Sequence, residues 1–463
     1  MLLANCSAPS LLLMIVVCTF SIAAYADDKP VDDFIIELMH ENDKDMRGLA
    51  FEQVRNELKG EAATKQVAAE LPKLPPVAQA GLLSALADRG DKVARPAVVD
   101  LFGKTEDAAV KLAAINALGY LGATADTTTL LAVLTSAGQE ESAAARAALV
   151  RLRGDGVNRA IADTMNAPGG DDVALIEILV ARRALESIDD ILALAAGDDA
   201  IARGAAMRAL ADLAGPEHLT GMLQGVLKAE RGRERDTAEK LVAAVCLKVE
   251  DRTQRTEALL RAINELEQAD RTKMMTLLGR VGGAAAYVVL NTAIASPVPS
   301  QHEQGLRALC NWPNASVAPR LLELAENDAH DPHRISALRA FIRVSALSGD
   351  DRTDAERLAS LQDAMKLATR DQERELVLDR ARTIKTVEAF QFVVPYMDDP
   401  KFKERACLSI VELAHHRSLR EPNKEVFSPV LEKVRTTSND PVVIDRAERY
   451  LKDQTWYRPG SGN

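Results

Sequence analysis

The chain has 463 residues and a formal net charge of −11, with 27% charged and 47% hydrophobic residues. That acidity repels phosphate backbones and anionic lipid heads, which argues against nucleic acid as a partner. Aromatic residues make up only 4%, so the core must be Leu, Val, Ile and Ala, a composition suited to close helix packing and not to a sugar-stacking groove.

Residues 11–26, LLLMIVVCTFSIAAYA, are almost entirely apolar and end on the A-x-A pattern Ala24-Tyr25-Ala26. Sixteen helical residues rise only ~24 Å, short of the ~30 Å hydrocarbon core. The stretch therefore reads as an export signal, residues 1–26, cleaved after Ala26. Residues 1–10 carry no Lys or Arg, so the amino terminus supplies the positive charge. Cys18 follows Val16-Val17, which is unlike the small residue that precedes a lipidated Cys. No later segment is long and apolar enough to span a membrane, and the expected location is secreted or periplasmic.

Residues 27–42 form an N-terminal capping helix on this reading, from the amphipathic VDDFIIELMHE at 31–41. The stretch DAAVKLAAINALGYLGATAD, 107–126, reads as a hairpin. Val110, Ala113, Ala114, Ala117, Leu118 and Leu121 lie on one helical face. Asp107 caps the first helix, Gly122 is its left-handed stop, and Asp126 caps a second helix carrying Leu130, Leu131 and Leu134. Gly119, inside the helix, marks a close backbone approach. Helices this short are marginal alone, so neighbours are required and repetition is expected. Positions comparable to Leu118 fall at Val54, Leu86, Leu149, Leu179, Leu210, Ala243, Leu278, Leu309, Phe341, Arg380 and Val411. The steps are 30 to 35 residues, except one of 39 at the polar insert Ser348–Thr353. Arg380 fits poorly.

Helix starts recur as well. Asp331-Pro332, Asp399-Pro400 and Asp440-Pro441 each place a capping Asp before a Pro at the first helical position. Paired Asp at 171–172, 189–190, 198–199, 350–351 and 398–399 read as caps and helix-dipole partners. Residues 436–453, with DPVVIDRAERYLKD, form a C-terminal capping helix. Residues 454–463 are expected to be a disordered tail, with Trp456-Tyr457 either folding back on the last helix or serving as a docking point.

Cys246, Cys310 and Cys407 sit in helical apolar contexts, an odd count that is no disulfide framework. The sequence contains no Gly-x-Ser-x-Gly, His-Glu-x-x-His or Cys-x-x-Cys. Gly279–Gly283 lacks a phosphate-loop Lys and reads as a helix-turn. His330-Asp331-Pro332-His333 could offer ligands to a metal, but Asp331 reads as a cap and no third ligand is evident, so no metal is assigned. His415-His416 points its rings to different sides of a helix. No catalytic, cofactor or metal residue is expected.

The stretch VKLAAINALGYLG, Val110–Gly122, resembles a HEAT repeat of the short bacterial class also seen in phycobilin lyases. The better copies are 107–136 and 199–228, and the weaker ones are 301–327 and 331–347. The resemblance covers residues 43–435, about twelve units. It implies an all-α fold, a right-handed α-α superhelix (HEAT/ARM-like solenoid) of two-helix repeats with terminal capping helices. It also implies a concave face of second helices that binds partners. Deoxyhypusine hydroxylases resemble this architecture but carry several His-Glu pairs, and this chain has only His40-Glu41 and His302-Glu303. HEAT-like DNA glycosylases need a cationic groove, which an acidic chain does not offer.

The expected role is therefore a non-enzymatic scaffold or adaptor for a protein or peptide. The alternatives are an accessory module of an envelope enzyme complex, or an enzyme whose lyase-like site is assembled across repeats. The acidic stretch ESIDDILALAAGDD, 186–199, holds Glu186, Asp189, Asp190, Asp198 and Asp199 with no base, and is the candidate partner surface. Mass spectrometry of the chain recovered from producing cells is expected to give Asp27 as the first residue. Retention of Met1 on the exported protein would contradict the cleavage.

Overall fold

A computed structural model describes residues 31–136, 138–165 and 171–457. The segment expected as an export signal, 1–26, and residues 458–463 lie outside that range. Among the described residues the chain is all-helical, with 28 α-helices, nine short 3-10 helices and no strand. None of these helices is long and apolar enough to cross a membrane.

The hairpin read from sequence forms, with two differences. The Asp107 carboxylate accepts the Val110 N–H at 3.0 Å and caps the helix Ala108–Leu121. Val110, Ala114, Ala117, Leu118 and Leu121 are buried on its inner face. Gly122 is not left-handed: φ is −65° and ψ 171°. It is glycine for space, because a Cβ there would run into the Leu118 carbonyl oxygen and lie 2.7 Å from Leu152 Cδ1. Asp126 does not cap the second helix, Thr127–Ser136. It closes the preceding 3-10 turn by accepting the Ala123 N–H at 2.7 Å, and both its oxygens take Arg95, at 2.6 Å each. A left-handed glycine stop does occur elsewhere, at Gly90 (φ 73°) after Pro76–Arg89.

The chain divides into two compact units, one ending at Arg182 and the next starting at Arg183. In the first, helices Lys44–Asn56, Pro76–Arg89, Ala108–Leu121, Gln139–Arg151 and Asp172–Ala181 pack in sequence, each on the next. In the second, the row runs through Ala200–Leu213, Arg233–Leu247, Met275–Val281, Pro299–Leu309, Asp331–Ser345, Asp371–Ala381, Lys403–His415 and Pro441–Leu451. The positions comparable to Leu118 lie in these rows and are buried, with one exception. Arg380 is half-buried, and Val377 and Leu378 fill the core in its place. The polar insert before this helix shifts the register by two or three residues.

At four steps of these rows a cation ties a helix to its predecessor. An α-helix leaves its last four carbonyls without intrahelical partners, at the negative end of its dipole. In the first unit, Arg89 donates to the Val54, Leu58 and Gly60 carbonyls. Arg182 donates to those of Leu149 and Leu152, at 2.6 and 2.7 Å. In the second, Lys248 reaches the Asp212 and Ala214 carbonyls, at 2.8 and 3.0 Å. Arg343 reaches those of Cys310 and Trp312, at 3.0 and 2.7 Å. The partners in each case are separated by about one repeat of chain.

The remaining expectations divide. Asp171, Asp199 and Asp440 cap helices, and Pro441 is the first residue of its helix. Asp331 and Asp399 do not cap. Asp331 is already the first residue of its helix and pairs with Arg334, and Asp399 sits in a turn ahead of Lys403–His415. Gly119 does mark a close approach, since a Cβ there would lie 2.9 Å from Ala148 Cα. The N-terminal helix is Asp33–His40, capped by Asp32, with Met39 buried. Trp456 folds back under the Arg446 guanidinium, 4.7 Å from its ring centre, whereas Tyr457 is 78% exposed. The three cysteines are free thiols, and burial pushes Cys246 up to about 12 and Cys407 to about 11.

Two outcomes follow for stability. Gly119→Ala is expected to destabilise the first unit by about 1–3 kcal/mol through overpacking. Gly48→Ala, in the same unit but with nothing within 4 Å of its Cβ position, should stabilise by about 0.5–1 kcal/mol. Urea melts of the two variants should therefore move in opposite directions, and a shared direction would contradict the packing. The second outcome concerns Glu412, which accepts Arg446 Nη1 at 2.6 Å. Burial raises its carboxyl, but Arg446, Arg382 and His415 outweigh this and hold it below the usual range. A depressed carboxyl stabilises the fold above its unfolded value, and that stability is lost as pH falls through the folded value. Glu412→Gln should accordingly lose less stability than the natural chain between neutral and acid pH.

Candidate functional site

The acidic stretch is dispersed over several structural jobs. Glu186 lies in the 3-10 turn Leu185–Ser187, and Asp189 and Asp190 occupy the first turn of Ile188–Ala195, at the positive end of its dipole. Asp199 accepts the Ile201 and Ala202 N–H groups, at 2.7 and 3.2 Å. Asp198 pairs with Lys228 Nζ at 2.9 Å, and that hydrogen bond holds its carboxyl below the usual range. None of the five lines either of the two largest clefts described here. The sequence grouped them by adjacency, while the fold uses Asp198 and Asp199 to hold helix ends and leaves Glu186 and Asp189 exposed.

A tighter constellation forms where the sequence assigned nothing. The helix Ala318–Asn327 ends at Asp328, whose extended backbone (φ −61°, ψ 142°) turns the chain toward the helix Asp331–Ser345. The His330 N–H donates to Asp328 Oδ1 at 3.0 Å, closing that turn. Arg334 donates to the Asp328 carbonyl at 2.6 Å. The Asp328 side chain is 1% exposed. Asp331 points away to Arg334, so it is not the carboxylate that the histidines share.

Two imidazoles meet Asp328. His302, on Pro299–Leu309, places Nε2 2.8 Å from Oδ2. His333, in the first turn of its helix, places Nδ1 3.2 Å from Oδ1. Their ring centres are 5.2 Å apart, and the His330 ring lies 5.0 Å from that of His333. His302 Nδ1 sits 2.6 Å from the Ile294 carbonyl. A carbonyl only accepts, so Nδ1 carries the proton. His302 can then meet the carboxylate in two ways. It can be an imidazolium donating Nε2–H, or a neutral ring whose Nε2 lone pair and a carboxylate oxygen share a cation. Burial pushes the Asp328 carboxyl up, but the His330 N–H, the His302 hydrogen bond and the charges of His302 and His333 hold it below its ordinary value. The group opens onto a cleft of about 710 Å³, bordered by Ser296, Ser300, Glu303 and Arg320.

A larger cleft, about 1000 Å³, lies beside Tyr287 and Trp312. Its polar groups are engaged in the fold: Trp312 Nε1 donates to Ser316, and Arg352 donates to the Val344 and Leu347 carbonyls. His415 is bonded to the Tyr450 hydroxyl at 2.9 Å. In the sequence Asp331, not Asp328, stands as the carboxylate beside the histidines, and His302 lies a full repeat away from them. A signal existed in the spacing: His302 and His333 are about one repeat apart, near the starts of successive helices in the row.

No family model matches the chain, and no curated protein matches it. Among solved structures, the crystal structure of an engineered protein matches with 18% identity, over 90% of this chain and 97% of that one, at a TM-score of 0.29. At that score the likeness carries no argument.

Asp328→Ala is expected to destabilise the second unit by roughly 1–3 kcal/mol, because the His330 N–H and the His302 and His333 rings lose the buried carboxylate that holds them together. Asp331→Ala, at an exposed site, should stay within about 0.5 kcal/mol of the natural chain. Equal losses in thermal melts of the two variants would contradict the assignment of Asp328 as the shared carboxylate.

Proposed function

We propose that the chain is a right-handed HEAT-type α-solenoid of about twelve two-helix repeats, exported after removal of residues 1–26. It acts as a non-enzymatic scaffold or adaptor that binds a protein or peptide along its second helices. The observation that carries this reading is the row of helices in each unit, tied at one-repeat spacing by cations on carbonyls. Such rows build extended surfaces from nearest-neighbour contacts. The exposed Asp189, at the start of Ile188–Ala195, favours a partner segment rich in Lys or Arg.

Replacing all five acids would unfold as well as neutralise, since Asp199 caps a helix and Asp198 holds Lys228. The variant Asp189→Asn, at an exposed residue, is the better probe. The immobilised chain should retain a protein with a basic segment from the envelope or secreted fraction of the source cell, and the variant should release it while melting normally. Retention of nothing, or retention indifferent to the variant, would contradict the proposal.

A second reading, an enzyme site assembled across repeats, is favoured by one observation. His302, Asp328 and His333 come from separate helices and a turn and converge on one cleft.

A further inference from the structure

We propose that His302, Asp328 and His333 form a binding site for a divalent transition-metal ion, with zinc the best match, open on one side to the cleft. This inference is independent of the scaffold reading.

The donor set comes first. Two imidazole nitrogens and a carboxylate are the ligands zinc takes in open sites, where a fourth position is left for water or substrate. The three ligand atoms all lie within 4.8 Å of one another. Zinc bonds of about 2.0–2.2 Å in a tetrahedron hold ligand atoms roughly 3.3 Å apart. The two imidazoles meet different oxygens of Asp328, His333 Nδ1 at 3.2 Å from Oδ1 and His302 Nε2 at 2.8 Å from Oδ2, so the carboxylate would face the ion with both oxygens.

The supporting contacts point the same way. A metal-bound histidine characteristically donates its other ring N–H to a backbone carbonyl or carboxylate, which fixes tautomer and orientation. His302 does so to the Ile294 carbonyl, leaving the Nε2 lone pair aimed at Asp328. Asp328 is fixed in turn by the His330 N–H. A buried carboxylate is costly unless a cation compensates it. Among the described residues its ion-pair partners are the imidazoles of His302, His330 and His333, and no arginine or lysine: Arg334 goes to its backbone carbonyl, and Arg320 pairs with Glu323. A dication at the shared point neutralises the carboxylate and satisfies both imidazole lone pairs. The fourth position faces the cleft, wide enough for a water or a small ligand.

The test uses the full, untagged, metal-free chain and Zn²⁺ alone, titrated by calorimetry. One ion per chain is expected, with affinity lowered by more than about 100-fold in His302→Ala and in His333→Ala, beyond what outer-sphere losses produce. His416→Ala, remote from the cluster, should bind as the natural chain does. No binding, or binding unchanged in both cluster variants, overturns the site. Should either variant fail to fold, Co²⁺ on the natural chain decides. Intense visible d–d bands of a tetrahedral nitrogen–oxygen site support the assignment, and only the weak bands of hydrated Co²⁺ overturn it.

Discussion

Every helix here is too short to be stable in water, and that single constraint organises the molecule. Among the described residues the α-helices run from four to fifteen residues, below or at the length at which isolated helices become marginal. Each therefore depends on a neighbour about one repeat away. Its apolar face is covered by the next helix in the row, and at four steps the carbonyls at a helix end are met by a cation arriving from that neighbour. Arg89, Arg182, Lys248 and Arg343 all do this work in different sequence settings. The alanines and interior glycines serve the same end, because small residues let neighbouring backbones approach; at Gly279 a Cβ would collide with the Ala308 backbone.

How much of this was legible depended on whether the controlling contact was local. The face of Ala108–Leu121 was readable because 3.6-residue periodicity is written within one helix. The Asp107, Asp171, Asp199 and Asp440 caps were readable for the same reason. The cations were not, because an arginine on a carbonyl thirty-odd residues away looks in sequence like any solvated arginine. Gly122 shows the limit of residue-type rules: glycine follows the helix there because the Leu118 carbonyl and Leu152 occupy the space a side chain would need, not because the backbone is left-handed. Asp331 and Asp126 carry the residue type of a cap, but their carboxylates are committed to Arg334 and Arg95. At Arg380 the insert displaced the pattern, and the buried Leu378 marks the actual register.

The candidate site follows the same logic. Asp328 stands in a turn, and in sequence it is one acidic residue among many in an acidic chain. Only the packing of Pro299–Leu309 beside Asp331–Ser345 brings His302 to it. The acidic run at 186–199 is the opposite case. It is conspicuous in sequence, yet the fold distributes its members among a cap, an ion pair and a helix start. Adjacency along the chain is a poor guide to convergence in a stacked helical protein, and residues one repeat apart are the ones that meet.

Hydrogen exchange by mass spectrometry on Leu118→Asp is the most direct test of nearest-neighbour dependence. A charge placed between helices of the first unit should speed exchange in Pro76–Arg89, Ala108–Leu121 and Gln139–Arg151, while Lys403–His415 keeps its protection. Uniform loss of protection along the whole chain, or none in those three helices, would contradict the account.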